Sequence, residues 1–97
     1  MSDTSKSEEF YKKLKAQLLD TTEWPSEYLF KFIVNTETSK LLKIETFFDN
    51  SGAVIKKSES KTGKYTSVSI NVVMKDPDAV IAKYILVSDN VEGVISL

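Results

Sequence analysis

Between Tyr65 and Met74 most side chains alternate between polar and apolar. Val68, Ile70, Val72 and Met74 fall on one parity, and Tyr65, Ser67, Ser69 and Asn71 on the other. Successive side chains of an extended chain point to opposite faces, so the pattern predicts a strand with one apolar and one polar face. The apolar face needs a cover and the polar face does not. An antiparallel sheet with its helices on one side meets both conditions.

The flanking segments fit that frame. Glu27 to Val34 also alternates, with Tyr28, Phe30, Phe32 and Val34 on one face and Leu29, Lys31 and Ile33 on the other. Its aromatic and β-branched residues predict a second strand. Ala53 to Ser60 predicts a third, weakly alternating and rich in lysine, joined to the strand at Tyr65 by a Lys61-Thr62-Gly63-Lys64 turn. Val91 to Leu97 predicts a fourth.

Helices are expected between the strands and ahead of them. Ser5-Lys6-Ser7-Glu8 has capping-box spacing, and Phe10, Leu14 and Leu18 recur four apart behind it, predicting an amphipathic helix to about Asp20. Asn35, Thr36 and Thr38 offer caps for a helix buried through Leu41, Ile44, Phe47 and Phe48 and stopped at Asn50-Ser51-Gly52. Asp76-Pro77 starts another, buried through Val80, Ile81, Tyr84 and Val87 and ending at Asp89-Asn90.

The order is an extra N-terminal helix followed by βαββαβ. Right-handed crossovers then leave a ferredoxin-like split β-α-β sandwich with a four-stranded antiparallel sheet, in the α+β class. Its outer strands are the second and the fourth. Residues 1–6 are expected to form a disordered tail and residues 7–97 a single domain.

Composition removes several functions. The 97 residues contain no cysteine and no histidine, so thiolate metal sites, disulfides and Ser-His-Asp, Cys-His or zinc-hydrolase arrangements are excluded within the chain. No catalytic residue, metal site or cofactor is expected. The formal net charge of −1 supplies no global field for nucleic acid or an anionic membrane. No apolar run reaches the ~20 residues that span a bilayer. Met1 to Glu9 lacks the apolar stretch of a signal peptide, so the expected location is cytoplasmic. Gly63-Lys64 lies in a tight hairpin and not at a strand-to-helix junction, which rules out a phosphate loop.

Three surfaces remain as candidates. Tyr65, Ser67, Ser69 and Asn71 form a polar face suited to a small ligand or a protein partner, or simply to water or to cover by the N-terminal helix. Lys56, Lys57, Lys61 and Lys64 gather around one turn, as a basic patch for nucleic acid or as lysines that keep a sheet edge from pairing. Val91, Val94 and Ile95 make the fourth strand apolar on both sides, an edge open to a partner or to a second copy in a homodimer. An RNA-recognition surface needs aromatics on the first and third strands, and this face offers Tyr65 alone.

Two stretches carry a resemblance. Glu23-Trp24-Pro25 is similar to an acidic-aromatic-proline entry motif. Ser60-Lys61-Thr62-Gly63-Lys64-Tyr65-Thr66-Ser67-Val68-Ser69-Ile70 resembles the serine-rich, glycine-turned hairpin of the YbeD-like proteins, a bacterial family of uncertain function. The resemblance covers Glu23 to Leu97. Tryptophan stands where phenylalanine is usual, Glu59 where proline is frequent, and the N-terminal helix is longer. The resemblance implies a fold similar to the ACT regulatory domains and a regulatory role. Some members carry a lipoate-regulatory label, for which these residues offer no chemistry. The leading expectation is a non-catalytic binding or regulatory module for a protein partner or small ligand. A nucleic-acid module using the lysine hairpin comes second, and a small enzyme without histidine or cysteine third.

Overall fold

The computed structural model describes residues 2–49 and 51–96. Its elements run α1 (Ser2–Thr21), β1 (Ser26–Asn35), α2 (Thr38–Phe47), β2 (Val54–Glu59), β3 (Tyr65–Met74), α3 (Pro77–Asn90) and β4 (Ile95–Ser96). The sheet order is β2-β3-β1-β4 and every pairing is antiparallel. This is the α+β sandwich expected, with a four-stranded sheet compatible with a ferredoxin-like fold and an extra N-terminal helix. Asn50, expected to help stop α2, and the termini Met1 and Leu97 lie outside the described residues.

The two long strands pair along their full length, from Ser26 opposite Met74 to Asn35 opposite Tyr65. That register puts Phe30 beside Ile70 and Phe32 beside Val68 on one face. With Ile44, Phe48, Val80, Tyr84 and Val87 they form the core, so α2 and α3 cover the same side of the sheet. Phe30 sits at its centre, its ring 5.1 Å from those of both Phe48 and Tyr84. Burying side chains of this size contributes about 1.5–3 kcal/mol each, the main term opposing chain entropy.

The helix ends show where local chemistry was read correctly and where it was not. Asp76 caps α3 as expected, accepting the Ala79 amide at 2.8 Å, with Pro77 following. At α2 the cap position is Glu37, which makes no side-chain capping bond. Thr36, a candidate cap, instead pairs its hydroxyl with that of the buried Thr66 at 2.8 Å. Sheet pairing wins over helix capping because Thr36 also donates its amide to Lys64.

Two boundaries differ from expectation. Helix α1 begins at Ser2 and includes residues assigned to a tail, since no glycine or proline interrupts Ser2 to Thr21. Among the described residues the final strand covers Ile95–Ser96 and does not begin at Val91. The Val91 amide continues the helical ladder to the Val87 carbonyl, and Gly93 at φ 74° then turns the chain back.

Helix α1 lies beside α3 and leaves the other sheet face open. Tyr11, Leu14 and Leu18 pack against the core, Lys15 pairs with Asp78 at 2.8 Å, and the Trp24 indole donates to the Leu18 carbonyl at 3.1 Å.

Candidate functional site

The open sheet face is the natural place to look for a site, because the residues on it are not held by the core. Alternation in β1, β2 and β3 and the registers between them arrange this face in rows. Val54, Asn71 and Leu29 stand abreast, then Lys56, Ser69 and Lys31, then Ser58, Ser67, Ile33 and Ile95. Tyr65 and Asn35 form the last row, and Glu27 and Val73 the first. Adjacent rows are roughly 6–7 Å apart along the strands and neighbouring strands ~4.8 Å apart.

The predicted polar face is therefore real and central: Tyr65, Ser67, Ser69 and Asn71 share it. It is not purely polar. Leu29, Val54, Val73 and Ile95 are between 49% and 61% exposed on the same side. A shallow depression of about 390 Å³ is lined by Leu29, Lys31, Val54, Lys56, Ser69 and Asn71. A smaller one beyond it, about 180 Å³, is lined by Ile33, Ser58, Glu59, Ser60, Tyr65 and Ser67.

The four-lysine patch does not assemble. Lys56 lies opposite Ser69 on the open face, whereas Lys57 lies opposite Val68 on the helix side and pairs with Glu45 of α2 at 3.2 Å. Lys61 occupies the turn, and the Lys64 ammonium stands 5.6 Å from the centre of the Tyr65 ring. The partner that sequence proximity hid is Lys31, across Ser69 from Lys56. Two strand spacings separate their backbones, roughly 10 Å. Among the described residues neither lysine forms an ion pair. Glu27, opposite Val73, stands at one margin of the face, whereas Glu59 lies opposite the buried Thr66 on the helix-side parity of β2.

The fourth-strand contact surface also divides. Val91 is 1% exposed and belongs to the core, and Val94 packs against it. Ile95 alone remains outward, on the open face beside Ile33. A two-residue strand presents few outward backbone groups, so the edge expected to recruit a second copy is short.

Two further clefts lie elsewhere. One, about 480 Å³, runs between the start of α2 and the end of α3, with Glu37, Lys40, Lys43, Asp89, Asn90 and Glu92 around it. Its lysines are engaged within the fold: Lys43 donates to the Asn90 carbonyl at 3.2 Å and Lys40 lies 4.0 Å from Glu37. They complement the negative end of α3. The second, about 190 Å³, lies under α1 between Phe10, Tyr11, Leu14, Tyr28, Tyr84 and Ser96. There the Tyr28 and Tyr84 hydroxyls bond at 2.8 Å. Burial pushes the Tyr84 hydroxyl far above the usual tyrosine range, and the bond to Tyr28 adds to the shift. Burial also raises Tyr11, with Asp89 nearby acting in the same direction. Such hydroxyls stay protonated at neutral pH.

Among the described residues no cluster of three or more histidine, cysteine, aspartate or glutamate side chains is placed to hold a metal ion, and no helix is long and apolar enough to cross a membrane. No family model, curated protein or solved structure matches the chain.

Proposed function

We propose that this chain is a non-catalytic binding module that docks a protein partner on the open face of its sheet. One observation carries the reading: exposed apolar side chains of four strands surround a polar centre that bears two lysines in no ion pair among the described residues. Apolar contact area supplies the affinity of such a surface, and unsatisfied charge supplies its specificity. The face is shallow and spread over four strands. Small-molecule sites enclose most of their ligand, and this surface does not.

The similarity of the Ser60–Ile70 hairpin to the YbeD-like proteins supports a regulatory setting and suggests no reaction. A cytoplasmic location belongs to the same proposal. The nucleic-acid alternative is weaker on this face, because Tyr65 is its one aromatic among the described residues. Base-stacking surfaces use more than one.

A photo-crosslinking residue placed at Ser69, and in a second variant at the exposed Ser88 on α3, tests the reading in cells. Discrete protein adducts at position 69 that position 88 does not form are expected. Adducts at 88 alone, or crosslinked nucleic acid at 69, would overturn it.

A further inference from the structure

The open face is patterned along the strand direction as well as across it. Leu29 and Val54 form an apolar row, Lys31 and Lys56 a basic row around Ser69, and Ile33 and Ile95 a second apolar row. Leu29 and Ile33 are four residues apart on one strand, about 13 Å, with Lys31 halfway.

Resting on the docking reading above, we infer that the partner covers this face with an amphipathic helix bearing one acidic side chain between two apolar ones. The spacing selects the element. On a helix, positions i, i+4 and i+8 share a stripe and lie about 6 and 12 Å apart. Those intervals match the row spacing of apolar, basic, apolar. A helix laid along the strands therefore sets its outer two side chains on the Leu29–Val54 and Ile33–Ile95 rows. Its central carboxylate then falls between the two ammonium groups.

Charge points the same way. The central row holds two cations, and Glu27, opposite Val73, stands two rows away at the end of the face. A basic helix meets like charge at its midpoint, which is costly at a docked surface. A wholly apolar helix strips water from the lysines without replacing it. The other face already shows the architecture: α2 and α3 cover the apolar side, and a helix on the second side completes a three-layer arrangement.

Selection of 16-residue peptides displayed on phage tests this with the full chain. Binders from the wild-type protein are expected to carry apolar, acidic and apolar residues at i, i+4 and i+8. Their affinity should fall at least about ten-fold on the exposed double variant K31E/K56E, and a lysine in place of the peptide's central acid should restore it. Circular dichroism verifies that the variant is folded, and amide shift changes in the wild-type protein locate each peptide. Peptides that map to β1, β2 and β3 without an acidic centre, or that bind K31E/K56E equally, sink the helix inference and leave the docking face standing. Peptides that map to the groove under α1, or no enriched peptide at all, overturn both.

Discussion

Lys56 and Lys57 are consecutive on β2 and stand on opposite faces of the sheet, the first beside Ser69 and the second bonded to Glu45 of α2. Their contributions to stability therefore differ. Removing the Lys57 ammonium in K57A should cost at most about 1 kcal/mol, since the pair is partly exposed. K56A should change stability by less than about 0.5 kcal/mol. Urea unfolding of both variants checks the order, and a larger loss for K56A would show that the face assignment is wrong.

Thr36 and Thr66 share one hydrogen bond between unequal surroundings, for Thr36 is exposed and Thr66 only 2% so. Replacing the exposed partner should be the more harmful change. T36A leaves the Thr66 hydroxyl buried without that partner, at about 1–3 kcal/mol, whereas T66V leaves Thr36 free to bond water, at about 1 kcal/mol or less. Thermal unfolding of the two single variants decides it, and the reverse order would contradict the bond.

Phe30 touches rings from β1, α3 and the end of α2, and no other aromatic side chain reaches all three more closely. F30A should destabilise by about 3–5 kcal/mol, a large share of what a domain of this size has. V73A, at an exposed position on the open face, should cost less than about 0.5 kcal/mol. Equal losses would place the core elsewhere.

Alkaline stability reports on Tyr84. Its folded hydroxyl is raised well above the ordinary value of 10.0, first by burial and then by the bond to Tyr28. Above pH ~10 the unfolded chain gives up this proton while the folded chain keeps it. Its stabilising contribution is complete below that pH and is lost as pH rises toward the folded value, with a slope of up to about 1.4 kcal/mol per pH unit. Denaturant midpoints measured across this window should fall less steeply for Y84F than for wild type. Parallel curves would show that Tyr84 is not the group responsible.

Much of this architecture is legible in the chain. The alternation along Tyr65 to Met74 predicted β3 to the residue, and Asp76-Pro77 predicted the start of α3. The crossover rule then predicted β2 and β4 as the outer strands. What escaped depended on register or on competition. Grouping Lys56 with Lys57 used distance along the chain, which a strand converts into opposite faces. Lys31 and Leu29 join the site only because Ser69 and Asn71 lie opposite them, and no local pattern encodes that pairing. Val91 is apolar whether it closes a helix or begins a strand, so its place in the core was hidden until the turn at Gly93 was seen.

The adjacent lysines also test the docking claim most directly. A partner recovered by crosslinking at Ser69 is titrated against wild type, K56E and K57E, each verified as folded. Docking on the open face predicts at least a ten-fold weaker interaction for K56E, roughly the effect of one lost interfacial charge contact, and a change within about two-fold for K57E. Equal effects from the two variants, or a loss confined to K57E, would contradict it.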